Sequence, residues 1–138
     1  MAQGLHSLTV VTEKGNEVTF TIEDLDKLDQ SGFETSTIWT EGIVEFTGVS
    51  LSEVLKAAGA EGSSFELTAL NDYAIFITAP ELEDGLPLVA TRRDGMLMSV
   101  RDKGPFWIVY PYDSERKYRT ETTYARSIWQ LNHISTIE

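Results

Sequence analysis

Basic side chains are concentrated in two short runs, Arg92-Arg93-Asp94 and Arg101-Asp102-Lys103, of a chain that is acidic overall. A pair of guanidinium groups can hold a carboxylate or a phosphate through parallel hydrogen bonds, so an anion-binding site is one interpretation of these runs. Each run also contains an aspartate that could neutralise the neighbouring basic side chains. The sequence therefore favours a second interpretation, a solvated loop of local ion pairs.

The triplet Asn71-Asp72-Tyr73 could bring an amide, a carboxylate and a phenol together above a hairpin. Asn and Asp are also the residues that tight turns select, because their short side chains hydrogen-bond to the local backbone. Tyr73 could equally be the first residue of the next strand. The sequence favours ordinary turn chemistry here and leaves a ligand site as the alternative.

The chain contains no cysteine and only two histidines, His6 and His133, which lie near opposite ends of the sequence. The absence of Cys excludes disulfides, thiolate zinc sites and cysteine nucleophiles. The two imidazoles show none of the spacing with Asp, Glu or His that metal ligands require, so we expect no metal site. No nucleophile-elbow motif supports a hydrolase.

The composition predicts one acidic, packed domain. A length of 138 residues with 41% hydrophobic side chains is enough to bury about two-thirds of the unfolded surface. The 22 acidic residues against 11 basic ones give a formal net charge of −11, which opposes binding to nucleic acids and to anionic lipid surfaces. No apolar run approaches the roughly 18 residues of a membrane span, and no signal sequence is recognisable. We therefore expect neither nucleic-acid binding nor membrane insertion.

Two helices are predicted from their N-terminal caps. Thr21 is placed to cap a short helix that runs through Leu28. Ser50 and Glu53 have the spacing of a capping box for a second helix, which Gly59 is expected to end. The apolar face of this second helix consists of Leu51, Val54, Leu55 and Ala58.

The remaining apolar segments predict strands, because they are short and rich in β-branched and aromatic residues. These segments are 5–11, 18–22, 33–39, 43–47, 65–70, 73–77, 86–91, 106–110 and 128–137. The segment 106–110 has almost no polar alternation, which indicates a central strand that is buried on both faces. Many short strands with two or three small helices predict a mixed α+β fold.

A series of stretches along the chain carries a resemblance to a known family. The stretches are Thr37–Gly42, Phe46–Leu51, Leu70–Tyr73, Pro80–Leu82, Leu88–Leu97, Gly104–Pro111 and Ser127–Leu131. In order and spacing they resemble the sulfite-oxidase-like family of oxidoreductase molybdopterin-binding domains. The resemblance spans nearly the whole chain and implies a single domain over residues 1–138. It also implies the family's fold, a mixed β-sheet with a barrel-like core and a few short helices.

The first of these stretches lacks the residue that gives the family its chemistry. Family members carry there a cysteine that binds molybdenum, and its position falls on Thr40 of this chain. A thiolate is a soft anionic ligand suited to that metal, whereas a threonine hydroxyl is neutral and weak. The resemblance places Trp39 and Glu41 at the mouth of the pocket, where Trp39 would stack on a ligand and Glu41 would orient a polar group. The alternative is a strand end with an ordinary surface glutamate.

The resemblance assigns further residues to this pocket. Arg93 and Arg101 would attract an anionic part of the ligand, and Lys103 lies in a stretch that departs from the family's His-Gly element. The loop after segment 106–110 would cover the pocket with Tyr112 and Arg119, although many loops of this length merely connect elements. The complete expected site comprises Trp39, Thr40, Glu41, Asn71, Tyr73, Arg93, Arg101, Lys103, Tyr112 and Arg119.

These residues predict a domain that has kept a pocket and lost its redox function. A pterin phosphate is strongly anionic, so the acidic chain and Glu41 disfavour it, and we expect no bound cofactor. The leading hypothesis is a non-redox domain that binds a small molecule or a protein partner. One alternative is an oxidoreductase whose metal is held by the pterin dithiolene of molybdopterin alone. Another is a purely structural interaction module. Because many relatives are periplasmic, the resemblance also implies a periplasmic or secreted location.

Overall fold

The computed structural model describes residues 7–82 and 85–137, so Leu5 and His6 lie outside the described residues. The strands are β1 (Ser7–Val11), β2 (Glu17–Thr21), β3 (Ser31–Thr35), β4 (Val44–Ser50), β5 (Ser64–Ala69), β6 (Ala74–Thr78), β7 (Leu88–Arg93), β8 (Met96–Leu97), β9 (Trp107–Val109) and β10 (Leu131–Ile137). The helices are α1 (Ile22–Asp26), α2 (Leu51–Ala58) and α3 (Glu121–Arg126). Short 3₁₀ segments occur at Ala79–Glu81, Val100–Asp102 and Arg116–Tyr118. The mixed α+β class is confirmed.

The first sheet has the strand order β2-β1-β10-β5-β6. Strand β10 lies in its middle, where it pairs in parallel with β1 and antiparallel with β5. The hairpins β1–β2 and β5–β6 form its two halves, so the strand at the end of the described chain joins them. Leu131 and Ile134 of β10 are fully buried, which shows that this strand is part of the core.

The second sheet has the order β3-β4-β7-β8, and β9 pairs with β7 as well. Strands β4 and β7 approach closely at Gly48, where an added Cβ would stand 2.1 Å from the carbonyl oxygen of Val89. Only glycine fits there, because any side chain would collide with the backbone of the neighbouring strand. The pairing of β4 with β7 therefore depends on this residue.

Both faces of the second sheet are covered. One core lies between the two sheets and α2 and includes Leu8, Val10, Val49, Val54, Leu67, Val89, Ile108 and Ile134. A second, smaller core covers the other face and contains Val44, Phe46, Leu88, Ala90, Met98, Trp107 and Val109. Alternate residues of one strand thus point into different cores, which explains why the sequence of β9 shows no polar alternation.

The two predicted helices form, with small differences at their ends. In α2, the Ser50 hydroxyl accepts a hydrogen bond from the Glu53 backbone at 3.2 Å, and Gly59 ends the helix at φ +75°. In α1, Thr21 is the N-cap as predicted, but the helix ends at Asp26 instead of Leu28. The Leu28 amide donates to the Leu25 carbonyl three residues earlier, so the α-helical bond pattern is lost before Leu28. The side-chain amide of Gln30 donates to the carbonyl oxygens of Leu25 and Leu28, which lack an α-helical partner there.

Three expectations about the sheets are wrong. The core is not barrel-like, because among the described residues no strand pairing joins the two sheets. The segment 33–39 is not one strand, since β3 stops at Thr35 and the chain then turns away from the sheet. The segment 106–110 is buried but not central, because β9 pairs with one strand only. Its other edge bonds to the chain before β10, with the Ile108 amide donating to the Ile128 carbonyl at 2.8 Å.

The described part of the chain contains no helix that is long and apolar enough to cross a membrane.

Candidate functional site

An open cleft of about 500 Å³ lies between the end of the β5–β6 hairpin, helix α3 and the loop between β3 and β4. The residues that line it are Trp39, Ala69, Asn71, Tyr73, Tyr124, Ala125, Ser127, Ile128 and Trp129. Four of these are aromatic, and among the described residues none of the lining side chains is charged. The cleft is therefore an aromatic and largely apolar surface with a few neutral polar groups.

Trp39 is surrounded by aromatic rings. Its centroid lies 5.6 Å from Trp129, 5.7 Å from Tyr124, 5.9 Å from Trp107 and 6.0 Å from Tyr112, in each case edge to face. Such arrangements align the positive edge of one ring with the negative face of another. Trp39 is thus fixed by its neighbours, and it contributes a rigid part of the cleft surface instead of a free stacking plate.

Hydrogen bonds hold the loop that carries Trp39. The Asp113 carboxylate accepts from the backbone amide and from the hydroxyl of Ser36, both at 2.7 Å. The Asp113 amide donates to Thr35 Oγ1 at 3.0 Å, and the Trp39 amide donates to Thr37 Oγ1 at 3.0 Å. The Ser36 backbone bond is the main cause that lowers the pKa of the Asp113 carboxyl. The loop after β9 therefore positions the loop after β3.

The β5–β6 turn carries the polar edge of the cleft. The Tyr73 amide donates to Asn71 Oδ1 at 3.1 Å, and Asp72 adopts φ +70° at the tip. The prediction of turn chemistry at this triplet is confirmed. The same turn also brings Asn71 and Tyr73 into the cleft, so the two interpretations of the triplet are compatible.

A buried chain of hydrogen bonds supports the side of the cleft opposite the hairpin. The Tyr112 hydroxyl donates to Ser127 Oγ at 2.5 Å, and Ser127 Oγ donates to the Thr123 carbonyl at 2.9 Å. Trp107 Nε1 donates to the Ser127 carbonyl at 3.3 Å. Burial raises the pKa of the Tyr112 phenol, so it remains a neutral donor. These bonds fix Ser127 and, through it, the residues that follow in the lining.

Lys103 lies against the aromatic cluster but does not line the cleft. Its ammonium group is 4.8 Å from the ring centroid of Trp129 and 5.9 Å from that of Trp107. These distances are those of a cation–π contact. The backbone N–H of Gln130 also donates to the backbone carbonyl of Lys103 at 3.0 Å, which ties the segment 100–104 to the chain just before β10.

The structure brings Trp39, Asn71 and Tyr73 of the predicted site together in the cleft. The predicted residues that are absent from its lining are Thr40, Glu41, Arg93, Arg101, Lys103, Tyr112 and Arg119. Of these, Thr40 shares a hydrogen bond of 2.7 Å with the Thr37 hydroxyl, while Glu41 is exposed. Arg119 Nη1 donates to the Tyr112 carbonyl at 2.8 Å, so these two residues bind each other in the loop.

Contrary to the expectation from the sequence, the basic residues of the described runs 92–94 and 101–103 do not pair with the aspartates of their own runs. Arg92 forms a two-pronged ion pair with Asp26 of α1, at 2.7 and 3.0 Å, instead of pairing with its neighbour Asp94. The Asp94 carboxylate accepts from the backbone amide of Glu45 at 2.9 Å and so stabilises the turn between β7 and β8. Arg101 is exposed on a 3₁₀ segment. The described residues include no cluster of His, Cys, Asp or Glu that could hold a metal ion.

Sequence reasoning missed helix α3 and its contribution to the cleft, above all Tyr124. The signal for this helix is short, since Thr120 caps it by accepting from the Thr123 amide at 3.3 Å. Trp129, which lies in the stretch Ser127–Leu131, is half-buried and lines the cleft. Both aromatic residues belong to the lining although neither was assigned to the site.

No family model and no curated protein matches the sequence. Among solved structures, the chain is similar to the crystal structure of the sulfane dehydrogenase SoxCD from Paracoccus pantotrophus, with a TM-score of 0.71 and 16% sequence identity. The match covers 99% of this chain and 39% of that one, so the chain spans well under half of the length of its neighbour. At this identity the likeness shows a shared fold and nothing more.

Proposed function

We propose that this domain is a non-redox module that binds a small molecule in the cleft between Trp39, Tyr73, Tyr124 and Trp129. The observation that carries the proposal is the cleft itself, an opening of about 500 Å³ with four aromatic residues in its lining. Small-molecule sites have this size and are mostly apolar and aromatic with a few placed polar groups. The rings around Trp39 hold the surface in shape before a ligand arrives, which lowers the entropic cost of binding.

The residues present do not fit molybdopterin, the cofactor that the family resemblance implies. The chain has no cysteine thiolate to offer, and the Thr40 hydroxyl is already bonded to the Thr37 hydroxyl at 2.7 Å. A pterin phosphate is anionic and would need basic side chains, whereas no described residue of the cleft lining is charged. The fold shared with SoxCD is therefore no argument for redox chemistry in this chain.

The proposal is tested by titrating the neutral fluorescent probe N-phenyl-1-naphthylamine into the protein. We expect saturable binding of one molecule per chain, and Tyr73→Ala should weaken it by roughly threefold to tenfold, because an aromatic contact is lost. Phe76→Ala is the matched control, because Phe76 is 55% exposed, close to the 52% of Tyr73, and lies on the same hairpin outside the lining. Unsaturable binding, or equal effects of the two variants, would overturn the proposal.

The rival function, an oxidoreductase that holds molybdopterin without a protein ligand, has its own test. The protein is produced in a host that makes the cofactor and is analysed for metal after purification. Our proposal predicts molybdenum far below one atom per chain. Stoichiometric molybdenum would refute the non-redox assignment.

A further inference from the structure

We infer that the cleft selects an uncharged, planar ring compound that carries a hydrogen-bond acceptor, and that the side-chain amide of Asn71 binds this acceptor. The inference rests on the proposed function, since it names the class of ligand for that same cleft. It depends on three properties of the described residues: the charges around the cleft, the polar groups that are still free to bind, and the direction of the Asn71 amide.

The charges disfavour ligands of either sign. The described lining contains no acidic or basic side chain, so an ion that enters the cleft loses water without gaining a partner of opposite charge. The net charge of −11 repels anions and attracts cations, so it adds to the obstacle for anions alone. A cation would compete with Lys103 for the electron-rich Trp129 ring, because the Lys103 ammonium group already lies 4.8 Å from the centroid of that ring. A neutral ring meets none of these obstacles.

The polar side chains of the lining leave few directional groups, and all of these are donors. Ser127 Oγ accepts from the Tyr112 hydroxyl and donates its own proton to the Thr123 carbonyl, so its hydroxyl is already engaged. The hydroxyls of Tyr73 and Tyr124 rotate and can either donate or accept, so they do not select one class of ligand. What remains among the described lining residues is the side-chain amide of Asn71 and the indole N–H groups of Trp39 and Trp129. The indoles can only donate, so they too favour a ligand that carries a hydrogen-bond acceptor.

The direction of the Asn71 amide follows from its neighbour. The backbone N–H of Tyr73 can only donate, and its bond of 3.1 Å therefore fixes the carboxamide oxygen of Asn71 on that side. The NH₂ group must then point the other way, and the structure shows no hydrogen-bond acceptor for it among the described residues. Because Asn71 lines the cleft, this group is a donor available to a carbonyl or ring nitrogen of a ligand.

The test compares three probes of one shape, benzamide, benzoate and benzylammonium, by NMR titration of the Trp indole N–H resonances at pH 7. Benzamide carries a neutral carbonyl acceptor, whereas the other two carry a negative and a positive charge. We expect benzamide to bind roughly tenfold more tightly than either ion, because only the ions lose hydration without compensation. Tighter binding of either ion would overturn the inference.

The matched variants are Asn71→Asp and Asn16→Asp, which add the same charge. Aspartate at position 71 can still accept from the Tyr73 amide, so the turn is kept while the NH₂ donor is lost. Asn16 lies in the exposed β1–β2 turn, outside the cleft. We expect Asn71→Asp to weaken benzamide binding by about fivefold, the value of one neutral hydrogen bond, and Asn16→Asp to leave it unchanged. Unchanged backbone amide resonances in β5 and β6 verify that the hairpin is intact.

The outcomes separate this inference from the function on which it rests. Equal affinities of the two variants for benzamide would refute the role of Asn71, while the cleft would stand as a binding site if the naphthylamine probe still bound there. If neither the naphthylamine nor any of the three benzene probes binds, the proposed function fails and the inference fails with it.

Discussion

Replacing Trp39 by alanine should destabilise the whole domain and not merely weaken a binding surface. The ring lies edge to face with Trp107, Tyr112, Tyr124 and Trp129, at centroid distances from 5.6 to 6.0 Å. Its removal leaves a space that these rings cannot fill without losing their contacts with one another. The side chain therefore connects the second core of the protein to the cleft.

The expected loss follows from these contacts. Each edge-to-face pair contributes about 0.5–1.5 kcal/mol beyond simple burial, and Trp→Ala substitutions in cores cost about 3–5 kcal/mol. Trp39 is only partly buried, so we expect a loss of about 3 kcal/mol in the free energy of unfolding. With a urea dependence of about 2 kcal/mol per molar, the unfolding midpoint should fall by roughly 1.5 M.

The assay is urea unfolding followed by far-UV circular dichroism, because the substitution itself removes a fluorophore. Ile38→Ala is the control, since Ile38 precedes Trp39 in the same loop and is 63% exposed. It should change the unfolding free energy by less than about 0.5 kcal/mol. A loss below about 1 kcal/mol for Trp39→Ala would contradict the reasoning, because one edge-to-face contact alone accounts for that much.

Two further substitutions probe the supports of the cleft. Because the folded pKa of Asp113 is lowered, the bonds to Ser36 stabilise the fold above the unfolded pKa of about 3.9 and are lost as pH falls through the folded value. Asp113→Asn should therefore give a shallower loss of stability below about pH 4 in acid titrations, and a slope equal to that of the parent would contradict this. Lys103→Met should lower the unfolding free energy by about 0.5–1 kcal/mol through loss of its contact with Trp129. Lys56→Met, on the exposed face of α2, is its control in urea unfolding, and equal effects of the two would refute the contact.

The elements that could be predicted from the sequence are those whose stabilising contacts are local. Helix α2 forms because Ser50 bonds to the amide three residues later and Gly59 adopts the left-handed conformation that ends it. The turn at Asn71 and Asp72 depends in the same way on a bond between close neighbours. Both are visible in a short window of sequence, since the partners lie within three residues of one another.

The parts that could not be predicted depend on partners that are distant in sequence. Arg92 pairs with Asp26, 66 positions away, whereas the sequence pointed to the adjacent Asp94. Lys103 contacts the ring of Trp129, and both β9 and α3 lie between these residues in sequence, so its expected role beside an anion could not be judged from its neighbours. Tyr124 enters the cleft from a helix of six residues, which is too short to show an apolar period.

The central position of β10 constrains how the protein can be made. Two-stranded ribbons are marginally stable in water, and the β1–β2 and β5–β6 hairpins remain separate ribbons until β10 lies between them. During synthesis, this sheet therefore cannot consolidate before residues 131–137 have left the ribosomal exit tunnel. Until then the side chains of Leu8, Val10, Leu67 and Ile77, which the folded sheet buries, belong to an incomplete sheet, and incomplete sheets are prone to aggregate.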